Sequence, residues 1–446
     1  MKTQEKKVEI KLRLPGILYQ RILKDLKRPH SFAYERVGFL YANTIVLQDE
    51  TKIITFKEYE PVEDEHYIED HSVGARIDAN AIRHSMQKIY DDNCGGFHVH
   101  FHDHKGEPSM SPDDKEGLPG IIESFANVNR KQAHGILILS ENSFYALVRV
   151  NGVLQFIVPE VIVAVKYPLT LNFSLQNTIA TSKALDRQSF LGQHSTKVFE
   201  NIAVGVVGLG GGGSHLIQQL THLGVKRFTL FDFDRIEESN LNRLIGAYFT
   251  DVAAVTLKTE IAKRLILSIC PDADVKIVNA RWQDDAEALQ LCDVVLGCVD
   301  TFEDRSQLEA ECRRYLIPYI DIGMDVNHTE EGSQISGQVI LSMPGQACMR
   351  CMGFLTEEKL AMEAAKYGNV GGRPQVVWPN GLLASSAIGV FTDLVTGWSG
   401  LNDRVVYIAY DGNTGLLSNH IRLRFMETGC IHYSLLDSGK PVFKKL

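Results

Sequence analysis

Four histidines fall within seven positions in "HVHFHDH", residues 98–104, and two aspartates, Asp113 and Asp114, follow in "KGEPSMSPDD". On an extended strand, side chains two apart share a face, so His98, His100 and His102 can all point the same way. Two imidazoles from such a face and a carboxylate from the next element make a three-ligand zinc site with one position open to water. Zinc lowers the pKa of that water to about 7, and a Glu or His must then manage its proton. The same histidines could instead be surface or satisfied core residues. The helix start Ser111-Pro-Asp-Asp114 shortly afterwards favours metal.

A second constellation opens with the glycine run "GLGGGGS" at 208–214, between an apolar strand and an apolar helix. The backbone N–H groups of such a turn can approach phosphate oxygens, and the helix N-terminus adds favourable partial charge. Gly208, Gly210 and Gly213 are the nucleotide-binding candidates, although the run alone leaves NAD, FAD and ATP open. The next strand leads into "FDFDRIEESNLNRLIG", where Asp232 and Asp234 are followed by Asn240, Asn242 and Arg243, and then by Lys258. One acid would suit a dinucleotide ribose. Cations beside it suit a triphosphate undergoing substitution, because charge builds on its oxygens, whereas hydride transfer would not need them. Asp300, ending "DVVLGCVD", falls at the carboxyl edge of a strand, where an acid can hold Mg²⁺. Further on, Cys348 and Cys351 in "CMRC" have zinc-knuckle spacing. Cys430 and His432 could complete that set; alternatively Cys348 or Cys351 could form a thioester.

The elements that must position these groups divide the chain in two. Residues 1–165 read as an α+β unit, with strands in "VEIKLRL", "RVGFLYAN" and "GGFHVHFH" and helical spacing in "ILYQRILKDLKR". "SPDDKEGLPGIIESFANVNRK" reads as a helix that Ser111 can cap, with Pro112 in its first turn. Residues 166–196 are polar and weakly patterned, as a linker or N-terminal arm would be. Residues 197–446 alternate short apolar strands with helices, the rhythm of an α/β, Rossmann-like doubly wound sheet.

The chain has 446 residues, 44% apolar and 23% charged, as ordinary soluble domains do. A net charge of −9 argues against a nucleic-acid surface, and no apolar run nears the roughly 20 residues that span a bilayer. "MKTQEKKVEIKLRLPG" lacks a signal-peptide core, and the eight cysteines are scattered, which suits a reducing cytoplasmic setting.

Two resemblances sharpen these readings. "HxH" followed by "SxxD", with "YERVGFLYA" upstream, resembles the metal motif of the JAB/MPN/JAMM isopeptidases. The resemblance implies His100, His102 and Asp114 as zinc ligands, Ser111 as a stabiliser of the tetrahedral intermediate and Glu35 as the base. The motif's usual spacing would select Asp113, and its serine–aspartate relation selects Asp114; His98 stands as an alternative ligand. "GLGGGGS", "DFD…SNLNR", the lysine and "CVDTFEDR" resemble, in order, the ThiF/MoeB/HesA family. That resemblance implies an adenylyltransferase that activates the C-terminal glycine of a ubiquitin-like protein. Asp232 would contact the ATP ribose, Asn240, Arg243 and Lys258 the phosphates, and Asp300 the Mg²⁺. Arg187 in "LDRQSFL" would reach ATP on the partner subunit of a homodimer.

The expectation is a fused enzyme that trims or removes a ubiquitin-like protein with zinc and activates its C-terminus with ATP and Mg²⁺ for conjugation, with a conjugating-enzyme partner downstream. Activation of a sulfur-carrier protein for thiocarboxylate formation is the enzymatic alternative. A non-catalytic binding scaffold is the alternative of another class.

Overall fold

The computed structural model describes residues 9–440 and 442, apart from residues 30, 33, 152–154, 175–182, 331, 366–373 and 427–428. The chain forms two compact units: Met1–Thr178 with Leu435–Lys440, and Ile179–Ser434 with Pro441–Leu446.

The first unit is built on strands β1 (Ile10–Pro15), β2 (Val37–Val46), β3 (Lys52–Pro61), β4 (Gly95–Phe101), β5 (His134–Leu139), β6 (Phe144–Arg149), β7 (Val161–Val165) and β8 (Thr170–Phe173). Helix α1 (Gly16–Leu26) follows β1, α2 (Ala79–Asp91) precedes β4, and α3 (Pro112–Val128) follows it. The sheet order is β6-β5-β4-β2-β3-β1-β7-β8. Alternation along β4 decides where the chemistry goes. Phe97, Val99 and Phe101 join Leu18 and Ile22 of α1 in one core. His98 and His100 therefore face the opposite side, where Ile122 and Phe125 of α3 pack with Phe39 and Tyr41 of β2. Ser111 caps α3 through a reciprocal box with Asp114, and Pro112 occupies the first turn.

The stretch 166–196 is not simply a linker. Phe173 is buried and β8 pairs antiparallel with β7, so the sheet continues through Phe173. A 3-10 stretch, Lys183–Leu191, and helix α4 (Ser195–Asn201) follow. Residues 435–440 also depart from the expected boundaries, because they pack with the first unit: Asn43 Nδ2 donates to the Ser438 carbonyl at 2.7 Å, and Gly439 lies against Ile45 and Thr55.

The second unit carries β9 (Ala203–Val207), α5 (Gly211–Leu223), β10 (Arg227–Phe231), α6 (Phe249–Ala253), α7 (Lys258–Ile269), β11 (Asp274–Val278), α8 (Ala286–Gln290), β12 (Val294–Gly297) and α9 (Phe302–Arg314). Then come β13 (Tyr319–Thr329), β14 (Gly332–Ser342), α10 (Glu357–Ala365), α11 (Val377–Thr396), β15 (Val406–Asp411) and β16 (Leu416–Asn419). The sheet order is β11-β10-β9-β12-β13-β14-β15-β16. Strands β11 to β13 run parallel, as the α/β rhythm predicts, and β14, β15 and β16 extend the sheet antiparallel. The result is a Rossmann-like mixed sheet rather than a wholly parallel one. The chain leaves β9 for β10 on one side and returns to β12 on the other, so the crevice at their carboxyl ends is the switch point where open α/β sheets bind ligands. Among the described residues, no helix is long and apolar enough to cross a membrane.

Candidate functional site

In the first unit His100, at the end of β4, and His102, just beyond it, turn their Nε2 atoms together at 3.2 Å. Asp114 Oδ2 lies 3.5 Å from His100 Nε2 and 3.9 Å from His102 Nε2. A tetrahedral zinc ion with bonds of about 2.0–2.2 Å has ligand–ligand edges of about 3.3–3.6 Å. The donor set fits such an ion. Glu35 approaches from the segment before β2, its Oε1 3.8 Å from His102 Nε2, and its backbone N–H donates to Gly74 O at 2.9 Å. Ser111 Oγ donates to Asp114 Oδ2 at 2.8 Å, so the helix cap also orients the carboxylate.

The surroundings push the two carboxylates in opposite directions. Burial pushes the Glu35 carboxyl up, His100 opposes this, and Asp114 and Asp113 reinforce it. Burial also acts against ionisation of Asp114, but the hydrogen bond and charge of His100 and the Ser111 hydroxyl and amide hold it well below the usual carboxylate range. Asp113 is exposed. His98 is buried against Phe39 and pushed down to about 3 by burial, with the charge of His100 adding to it. The nitrogen and oxygen atoms that converge belong to Glu35, His100 and His102, not to His98. The Nδ1 atoms of His98 and His100 have no hydrogen-bond partner among the described residues. His104 is exposed and turns its Nδ1 to the Lys105 carbonyl.

In the second unit the glycine turn closes over the end of β9. Gly208 has φ +85° and would set a Cβ 2.5 Å from Cys298 O, while a Cβ at Gly213 would lie 2.0 Å from Gly208 O. Both positions require glycine. Nothing lies within 4 Å of a Cβ at Gly210, which lines a cavity of about 770 Å³. Asp232, at the end of β10, accepts from Leu209 N at 2.7 Å and Asp234 N at 2.8 Å. Burial raises its pKa against the pull of Lys258 and of those amides. Lys258 starts α7 and pairs with Asp234 at 2.6 Å. Asp232, Arg243, Lys258 and Asp300 all line this cavity.

Asn240 does not line it, contrary to expectation. It is buried, its Oδ1 accepts from Glu237 N at 3.2 Å and its carbonyl accepts from Arg243 N at 3.0 Å. It therefore builds the turn that presents Arg243. Arg187 is exposed in the 3-10 stretch and does not line its own chain's cavity. Sequence reasoning missed Arg281, whose guanidinium lies 5.2 Å from the Phe233 ring centroid, and Arg305, which donates from Nε to Asp321 at 3.0 Å. Both line the cavity. Arg305 stands inside the quoted "CVDTFEDR", and its charge was the available signal.

Cys348 and Cys351 meet Cys430 and His432, with all four ligand atoms within 4.8 Å of one another. The two sulfurs are 3.6 Å apart, and His432 Nδ1 lies 3.4 Å from Cys348 Sγ and 3.3 Å from Cys351 Sγ. Zinc bonds of about 2.3 Å to sulfur and 2.0–2.1 Å to nitrogen give tetrahedral edges of about 3.5–3.8 Å. This Cys₃His set fits a closed structural zinc site.

The ThiF family model matches residues 182–419. Over 173 residues the chain is 32% identical to the ubiquitin-like modifier-activating enzyme 5 of Culex quinquefasciatus, covering 35% of this chain and 41% of that protein. The protein of the same name from Drosophila ananassae is 33% identical over 173 residues, with the same coverage. The chain thus spans about two fifths of the length of these curated relatives. Among solved structures, Escherichia coli MccB with selenomethionine MccA aligns with a TM-score of 0.44 at 20% identity, over 53% of this chain and 71% of that one. Selenomethionine PaaA aligns with a TM-score of 0.45 at 16% identity, over 56% and 87%.

Proposed function

The chain belongs to the ThiF family, and from that premise we propose that its second unit adenylates the C-terminal carboxylate of a ubiquitin-like protein. One observation carries this reading: the glycine turn, Asp232, Arg243, Lys258 and Asp300 all line one cavity. Asp232 receives the ribose hydroxyls, and the free N–H groups opening α5 receive phosphate oxygens. Asp300 would hold Mg²⁺, which neutralises triphosphate charge when bound. A carboxylate oxygen of the carrier bonds to the α-phosphorus, the bond to the bridging oxygen breaks, and its electron pair leaves on pyrophosphate. Arg243 and Lys258 stabilise the charge that builds on those oxygens. Arg187, exposed on its arm, serves the site of a second copy in a homodimer.

The Cys348, Cys351, Cys430 and His432 set is a structural zinc knuckle in this reading. Its four donors close the coordination shell, which removes Cys348 and Cys351 from thioester chemistry. A conjugating-enzyme partner, or a sulfur source acting on a sulfur-carrier protein, would then consume the adenylate directly. The free cysteines suit a cytoplasmic setting.

The first unit is, on this proposal, a zinc isopeptidase of the JAB/MPN/JAMM kind acting on the same carrier. His100, His102 and Asp114 would hold the metal, which supplies Lewis acidity to a carbonyl and acidifies water. Glu35 takes the proton of the attacking water and delivers it to the leaving amine. The Ser111 hydroxyl would turn its single proton from Asp114 toward the charge developing on the carbonyl oxygen, while the Ser111 amide keeps hold of Asp114. Trimming would expose the carboxylate that adenylation requires.

The test of the adenylation reading is exchange of labelled pyrophosphate into ATP, with Mg²⁺ and a panel of ubiquitin-like proteins ending in glycine. Exchange should occur with at least one of them and disappear in Asp300→Ala. Binding of a nicotinamide dinucleotide in place of ATP would overturn it, and ATP binding without exchange would favour a scaffold.

A further inference from the structure

Glu309, on α9, is wholly buried, with Arg313 four residues on along the same helix face. Its Oε1 accepts from Ser342 Oγ at 2.5 Å and from Met349 N at 2.8 Å. Met349 lies inside the Cys348–Cys351 turn, so the carboxylate grips the backbone of the knuckle itself. Arg313 completes the grip: Nη1 donates to Ser342 Oγ at 2.9 Å and to Met343 O at 2.8 Å, and Nη2 donates to Gln346 O at 2.6 Å. The segment from the end of β14 to the first cysteine pair is thus tied to one helix by two ionisable side chains.

Burying such a pair is expensive, and Glu309 Oε2 has no hydrogen-bond partner among the described residues. An apolar pair would join α9 to the sheet at lower cost. What an apolar pair cannot do is fix the direction of the Met349 amide. The opposite end of α9 lines the nucleotide cavity through Glu303, Asp304 and Arg305. One helix therefore touches both sites.

Resting on the reading of the Cys₃His set as a zinc knuckle, we propose that Glu309 is the positioning residue that holds the knuckle in ligating geometry and couples its metal, through α9, to nucleotide binding. Partners that orient ligands at metal sites typically contribute about 10–100-fold in metal affinity.

The test loads the full-length chain with Co²⁺ and follows thiolate-to-cobalt charge-transfer absorption. That band reports the knuckle alone, because the first unit's donor set has no sulfur. Glu309→Leu should weaken cobalt binding by at least about tenfold and weaken ATP binding, measured by calorimetry, in parallel. Glu309→Gln keeps a carbonyl acceptor for the Met349 N–H and should restore both. Stripping metal from the unsubstituted protein should weaken ATP binding as Glu309→Leu does. A Glu309→Leu protein that folds by circular dichroism and binds cobalt normally overturns the proposal, as does one that loses cobalt with ATP affinity unchanged. If Glu309→Leu does not fold, Ser342→Ala decides, since it removes one donor to the same oxygen; unchanged cobalt affinity there overturns the proposal. An unsubstituted protein without the band overturns the knuckle reading itself and this inference with it, whereas a normal band with unaffected variants removes only this inference.

Discussion

Glu35 and Asp114 are both carboxylates beside His102, yet their surroundings drive them apart. Burial leaves Glu35 readier to take a proton, while His100 and the Ser111 cap keep Asp114 ionised. Environments that separate two acids in this way divide the labour of catalysis from that of ligation. If the first unit is the proposed zinc isopeptidase, replacing Glu35 by Gln should lower cleavage of a carrier fusion by at least about 10²-fold while bound zinc stays unchanged. His102→Ala should lose the zinc as well as the activity. Elemental analysis beside a fluorogenic cleavage assay separates the two effects, with the knuckle metal counted from its thiolates. Full activity in Glu35→Gln would remove that residue from the mechanism.

Strand β5 shows what a single element contributes. His134, its first residue, accepts from Gly96 N through Nδ1 at 3.0 Å and donates from Nε2 to the Asn129 carbonyl at 2.7 Å. Only the neutral ring can do both, and burial pushes its pKa down to about 4 against that carbonyl. The unfolded chain binds this proton near the ordinary histidine value, and the folded chain does not until near 4. Stability from this group is therefore complete above about 6.5 and falls as pH drops toward 4, by about 2 kcal/mol at pH 5. Urea unfolding of wild type and His134→Gln at pH 7 and pH 5 should show the gap between them shrinking by that amount. A gap independent of pH would mean that the ring is not held neutral. Elements like β4 and α3 were legible in the sequence because alternation and capping are local: "HVHFH" names its own face, and Ser111 names its own helix. Asn240 builds the turn before Arg243 and stands outside the cavity lining, a position that its spacing beside Arg243 does not reveal. The continuation of the first sheet through Phe173 depends on long-range packing that no short pattern encodes, whereas Cys430 and His432 could be offered as partners of the Cys348–Cys351 pair from residue type alone.

At the scale of the molecule, each unit has its own sheet and its own candidate chemistry, yet the sequence does not divide cleanly between them. Residues 435–440 belong with the first unit although the second lies before them in the chain. Deleting residues 435–440 while keeping Pro441–Leu446, which belong with the second unit, removes the Asn43–Ser438 hydrogen bond and the packing of Gly439 on Ile45. The first unit should then lose about 1–3 kcal/mol, read as earlier proteolysis of its fragments on heating, while ATP binding by the second unit should persist. Equal protease resistance would show that the segment contributes nothing there. The same arrangement has a consequence in time. After Thr178 leaves the ribosome's catalytic centre, roughly 250 more residues are added before Leu435, which at about 5–20 residues per second takes on the order of 10–50 s. Through that interval Ile45 and Thr55 lack the segment that later packs on them, and the surface is open to chaperones or to neighbouring nascent chains. The unit whose synthesis begins first is thus completed only after nearly all of the second has been made.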